Sequence, residues 1–137
     1  MIDRLQEKDI DQVAQIEAEI FSVPWSIKSF KDALASEQNI YLKAETDDQI
    51  VGYCGIWTSF ESADLCNIAV KKEFRKAGLG QKLLEAGIQA AAAKGVERIL
   101  LEVRQSNKAA IRLYEKNGFQ TIGLRKSYYT KPVEDAI

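Results

Sequence analysis

The chain has 137 residues, 46% hydrophobic and 28% charged, and its 19 basic and 20 acidic residues leave a formal net charge of -1. A chain of this length supports a single core, and the near-neutral balance excludes nucleic-acid binding through bulk electrostatics. No apolar run approaches the ~20 residues that span a bilayer, and two cysteines without a histidine leave too few donors for a zinc site, so neither membrane, nucleic acid nor metal is expected.

Met1-Ile2-Asp3-Arg4-Leu5 lacks the basic start and apolar centre of a signal peptide, which makes cytoplasmic residence the expectation. A short strand is expected first. Asp9 then suits the N-cap of a helix from about Ile10 to Ile20, whose Ile10, Val13, Ile16 and Ile20 share one face. Pro24 stops it, and Ser26 caps a second helix carrying Ile27, Phe30 and Leu34. Three strands follow as an antiparallel meander, Ile40 to Thr46, Ile50 to Thr58 and Ala63 to Val70. Cys54 and Cys66 lie inside these strands and read as small hydrophobes with free thiols, a cross-strand disulfide being the alternative.

Gly78 to about Lys94 reads as a long helix closed by Gly95. The apolar run Ile99-Leu100-Leu101-Glu102-Val103 suggests a strand from Arg98 to Val103 covered on both faces. A helix from Asn107 or Lys108 to Lys116 ends at Asn117-Gly118, and a strand from Phe119 to Tyr129 follows. The order β-α-α-β-β-β-α-β-α-β predicts one α/β domain over residues 1–137, a mixed central sheet with helices on both faces.

The most informative segment joins Asn67-Ile68-Ala69-Val70 through Lys71-Lys72-Glu73-Phe74 to Arg75-Lys76-Ala77-Gly78-Leu79-Gly80. A strand running into a glycine-containing turn at a helix start gathers backbone N–H groups where the helix dipole is positive, a cradle for a diphosphate. Gly78 and Gly80 let the backbone come close to phosphate oxygens, and Arg75, Lys76 and Lys72 add positive charge. The spacing alone serves equally for glycines that shape a helix start and for a solvated basic face. It is neither a P-loop nor a dinucleotide fingerprint.

With its flanks, this segment resembles motif A of the GNAT superfamily of N-acetyltransferases, in which Arg or Gln, two residues, Gly, one residue, and Gly or Ala recur. Phe21-Ser22-Val23-Pro24-Trp25-Ser26, Leu101-Glu102-Val103-Arg104-Gln105-Ser106-Asn107-Lys108-Ala109-Ala110, Leu113-Tyr114-Glu115-Lys116-Asn117-Gly118-Phe119, Tyr128-Tyr129 and Glu134-Asp135-Ala136 extend the likeness over nearly the whole chain. They are similar to the RimI branch, the ribosomal-protein alanine N-acetyltransferases. The resemblance implies acetyl-coenzyme A as cosubstrate, lying where the fourth and fifth strands splay apart. Ile68, Ala69 and Val70 would pair with the pantetheine arm, Arg75, Lys76, Ala77, Gly78, Leu79 and Gly80 would hold the pyrophosphate, and Asn107 would touch the cofactor, although a plain N-cap explains that asparagine as well.

Acetyl transfer needs a neutral amine, a polarised thioester carbonyl and a proton for the departing thiolate. With no histidine in the chain, the base is a carboxylate, a tyrosine or a water chain. Glu102 is the candidate: an enclosed strand would raise its pKa toward a useful range, and the resemblance gives this position the general-base role; a structural ion pair or helix cap is the alternative. The resemblance also gives Tyr114 the protonation of the thiolate, and a phenol near ~10 is closely matched to an alkyl thiol, although a helical aromatic also serves as core packing. The Val70 N–H is placed to polarise the carbonyl, and transfer is expected directly within a ternary complex.

At neutral pH roughly a tenth of an α-amine is neutral, against less than a thousandth of a lysine side chain, for pKa values near ~7.8 and ~10.4. This mildly favours an N-terminal acceptor. The resemblance places acceptor contacts in the loops holding Phe21, Trp25 and Tyr129, where core or rim packing remains open. The function expected is therefore acetylation of the N-terminal amine of a ribosomal protein, an alanine by resemblance. A lysine, polyamine or small-molecule acetyltransferase and a non-catalytic acyl-coenzyme A sensor are the alternatives. Relatives of this branch carry further apolar residues beyond the position of Ile137, so the final strand is expected to be incomplete and the chain to be a monomer or weak homodimer.

Overall fold

The computed structural model describes residues 2–20, 24–47, 49–103, 106–120, 125–130 and 133–136, with backbone alone at 67, 75–77, 125–130 and 133–136. They fall into two compact units, Met1–Leu100 and Leu101–Ile137.

The first unit runs β1 (Ile2–Arg4), α1 (Ile10–Ile20), α2 (Ile27–Leu34), β2 (Asn39–Thr46), β3 (Gln49–Ser59), β4 (Ser62–Val70), α3 (Leu79–Ala93) and β5 (Arg98–Leu100). Its sheet has the order β1-β2-β3-β4-β5, antiparallel as far as β4 and parallel between β4 and β5. β3 is central, with Ile50 through Ile56 buried without a break, as its run of branched and aromatic residues demands of a strand covered on both faces.

Helices cover both faces, as expected. On one, Tyr53 joins Leu5, Ile10, Val13, Ile16 and Phe30 in the core beneath α1 and α2. On the other, Cys54 and Ile56 lie under α3, which approaches so closely that a methyl group added at Gly87 would come 2.9 Å from Ile56 Cδ1. Leu83, Leu84 and Ala91 of α3 are buried. Each fully buried leucine or isoleucine contributes about 1.5–3 kcal/mol.

The second unit contains α4 (Lys108–Lys116), β6 (Arg125–Thr130) and β7 (Val133–Ala136), the two strands forming an antiparallel pair. The expected element order is reproduced, followed by β7.

Several local expectations change. Asp9 is not the cap of α1: it closes a 3-10 turn, Glu7–Asp9, where its carboxylate accepts from the Gln6 N–H at 2.9 Å and from Lys43 Nζ at 2.9 Å. A buried lysine thus takes the carboxylate that would otherwise cap the helix. β5 stops at Leu100 rather than Val103, and Leu100 is exposed, so the strand is not enclosed on both faces. The β4-to-α3 connection is a 3-10 helix, Lys72–Ala77. β6 starts at Arg125 rather than Phe119, with 121–124 outside the described residues. Ser26 caps α2 as expected, its hydroxyl accepting from the Ser29 N–H at 3.1 Å.

Both cysteines are free. Burial pushes the Cys54 thiol up to about 12 and the Cys66 thiol up to about 11. Both thiols are thus held mostly protonated at pH 8. A colorimetric thiol reagent is therefore expected to label the native protein slowly, at exposed Cys66 first, with the second equivalent appearing only on denaturation. Rapid release of two equivalents from native protein would contradict this burial.

Candidate active site

β4 and β5 pair only at Ser62 with Arg98, Ala63 with Ile99 and Asp64 with Leu100. β4 then continues alongside β3 to Val70, with Cys54 opposite Ile68, Tyr53 opposite Ala69 and Gly52 opposite Val70. The parallel ladder ends where β5 itself ends, at Leu100 opposite Asp64. Ala69 and Val70 are buried, Ile68 half-buried.

From Val70 the chain makes its 3-10 helix and turns into α3 through Gly78, whose φ of 77° lies in the left-handed region. A side chain there would meet nothing within 4 Å, so the backbone angle rather than crowding calls for glycine. Leu79 and Gly80 form the first turn of the 15-residue α3, where helix amides lack intrahelical acceptors. An exposed glycine corner beside such amides fits a diphosphate. Arg75, Lys76 and Ala77 belong to the 3-10 helix, and their side chains lie outside the description.

In the second unit, Glu102 is half-buried and sits beyond the end of β5. The enclosed strand position expected for it is not found, because the ladder ends two residues earlier. Tyr114 is buried on α4, its ring meeting Phe119 at 5.8 Å and 62°. Its carbonyl accepts from the Asn117 and Phe119 N–H groups, both at 3.0 Å, so the end of α4 holds this residue firmly. Asn107 caps α4, its Oδ1 accepting from the Ala110 N–H at 3.2 Å. The capping role is thus present.

Of the three acceptor candidates, Phe21 and the Tyr129 side chain lie outside the described residues. Trp25 is half-buried, 5.4 Å from Phe30 and 5.9 Å from Trp57 between ring centroids. Its backbone N–H donates to Glu17 Oε2 at 2.8 Å.

Glu17 is a residue that the sequence reading did not single out. Only 3% exposed, it also accepts from the Tyr53 hydroxyl, and burial with this neighbouring carboxylate holds the Tyr53 phenol far above its ordinary value. Tyr41, pushed up chiefly by burial, accepts from Trp57 Nε1 at 2.8 Å. A signal was available: Glu17 lies four residues after Val13 and three before Ile20, on the apolar stripe of α1.

A model of the Acetyltransferase (GNAT) family matches residues 10–119. The chain belongs to this family and is an acetyltransferase. A Bacillus subtilis protein provisionally named a ribosomal protein bS18-alanine N-acetyltransferase is 43% identical, over 95% of this chain and 87% of the relative. The Salmonella typhimurium ribosomal protein bS18-alanine N-acetyltransferase is 38% identical, over 97% of this chain and 90% of the relative. Among solved structures, the Escherichia coli ribosomal-protein-S18-alanine N-acetyltransferase aligns with a TM-score of 0.91 at 34% identity, covering 99% of this chain and 88% of that one. These findings agree with the family and branch that the motifs suggested. Among the described residues no helix is long and apolar enough to cross a membrane, and no cluster of metal-binding side chains occurs.

Proposed function

We propose that the whole chain acts as one domain that acetylates the N-terminal α-amine of a ribosomal protein of the bS18 type, beginning with alanine. The observation that carries this reading is the likeness to relatives of that name over 87% and 90% of their own lengths. The family match over 10–119 draws on residues of both units, which supports a single domain.

Acetyl-coenzyme A supplies the activated acetyl thioester. The amides around Gly78, Leu79 and Gly80, with Arg75, Lys76 and Ala77, take its diphosphate, and the backbone of Ile68, Ala69 and Val70 takes its pantetheine arm. Glu102 accepts the proton released as the amine nitrogen bonds to the carbonyl carbon. Tyr114 donates a proton to the sulfur as the C–S bond breaks, and recovers one from the medium. Asn107 contributes at the start of α4, and Phe21, Trp25 and Tyr129 border the acceptor.

A thiol-release assay with peptides differing in their first residue, each beside an N-terminally blocked copy carrying a lysine, tests the acceptor. Release is expected with free N-terminal alanine and to fall at least tenfold with the blocked copy. Activity on blocked, lysine-bearing peptides alone would move the assignment to side-chain or small amines, and cofactor binding without release for any amine would leave a sensor.

A further inference from the structure

Glu17 lies on the apolar stripe of α1 and is only 3% exposed, yet among the described residues it takes part in no ion pair. Two neutral donors meet its oxygens instead, the Trp25 N–H at Oε2, 2.8 Å away, and the Tyr53 hydroxyl at Oε1. Taking a carboxylate out of water is expensive, and two neutral hydrogen bonds offset only part of that cost. A leucine in the same place would continue the stripe and serve stability better.

The carboxylate joins three separate parts of the first unit. Trp25 follows Pro24 and precedes Ser26, the cap of α2, so its N–H lies between the helices and is not taken up by the ladder of either. Its ring stands in an aromatic wall with Phe30 and Trp57. Tyr53 comes from β3, is fully enclosed, and is paired with Ala69 across the β3–β4 ladder. The two strands are tightly packed there, because a methyl group added at Gly52 would come 2.9 Å from the Ala69 carbonyl oxygen. Ring packing of Phe30 against Trp25 and Tyr53 holds the same parts together, but apolar contact is non-directional. A carboxylate with one donor on each oxygen fixes both distance and direction.

We propose that Glu17 is a positioning residue for acetyl transfer: it ties the Trp25 backbone to the strand pair that carries Ala69, and so fixes the distance between the amine and the thioester carbonyl. This rests on the reading above that sets the acceptor at Trp25 and the pantetheine arm along Ala69. In this role Glu17 touches neither substrate and acts through Trp25 and Tyr53. A displacement of about 1 Å at the reacting atoms costs on the order of 10²-fold in rate, so a small loosening of this tie is enough to be read in kcat.

Three variants test the proposal. Glu17→Leu takes the acceptor from the Trp25 N–H and the Tyr53 hydroxyl, and is expected to melt at a lower temperature and to lower kcat about 10- to 100-fold. Glu17→Leu with Tyr53→Phe also removes the stranded hydroxyl. This double variant is expected to recover much of the melting temperature while kcat stays low, because the Trp25 N–H is still untied. Glu17→Gln keeps an oxygen for the Trp25 N–H and offers its amide to the Tyr53 hydroxyl, and its kcat is expected within about threefold of wild type.

kcat is measured at saturating peptide and cofactor, well below the lowest melting temperature. Acetyl-coenzyme A affinity, by calorimetry, is expected to change less than about twofold in all three variants. If Glu17→Leu does not fold, the double variant carries the comparison. Recovery of kcat together with melting temperature in the double variant makes Glu17 merely structural and overturns the proposal, as does a Glu17→Gln enzyme as slow as Glu17→Leu. Activity of wild-type enzyme on blocked, lysine-bearing peptides alone overturns the N-terminal acceptor reading, and the same comparison on those peptides then decides the role of Glu17.

Discussion

Replacing Glu102 with glutamine is expected to lower turnover by roughly 10²–10⁴-fold while leaving acetyl-coenzyme A affinity little changed. The amide keeps the size and polarity of the carboxylate and cannot accept a proton at neutral pH, so the substitution isolates proton transfer. Glu102 lies two residues past the end of β5 and is half-buried. The measurement is single-turnover acetylation alongside calorimetric titration with the cofactor. An unaltered rate removes Glu102 from the base role, while a loss confined to cofactor affinity makes it a binding residue.

A second large effect belongs to stability. Lys43 and Asp9 are 5% and 4% exposed, and their ion pair of 2.9 Å joins β2 to the turn preceding α1. Lys43→Met strands a buried carboxylate whose remaining contact among the described residues is the Gln6 N–H, a change expected to cost about 3–5 kcal/mol. Adding Asp9→Leu removes the stranded charge and is expected to restore most of the loss. Urea unfolding of the two single variants and the double variant measures the coupling. If the single and double variants lose equally, the pair is not what stabilises this junction.

The same pair has a pH signature. The hydrogen bond from Lys43 to Asp9 holds the lysine above its ordinary value of 10.5. A raised folded value means that its stabilisation is fully present below the unfolded lysine pKa and is lost as pH rises through the folded one. The contribution of Lys43 is therefore constant through neutral pH and declines only in strongly alkaline solution, where Lys43→Met should approach wild type.

Much of the fold was legible because local chemistry and tertiary packing agree. Ser26, Asn107, Gly95 and Gly118 mark helix boundaries in the sequence, and the structure uses the first two as caps and the glycines at φ of 87° and 93°. Failures arise where a distant partner decides. Asp9 looked like a cap until Lys43, 34 residues away, competed for its carboxylate. Leu101 and Val103 extended an apolar run that β4 does not continue to pair, because the parallel ladder ends at Asp64. Motif spacing marked the Gly78 corner, Glu102 and Tyr114, whereas the Glu17 network escaped because one carboxylate on an apolar stripe carries no information about which phenol or amide it will meet.

The aromatic wall has a practical corollary. The chain has two tryptophans, and their indoles stand 5.9 Å apart, close enough for their excited states to mix. Emission excited selectively in the indoles thus reports on one small region of the molecule, where the segment entering α2 meets the end of β3.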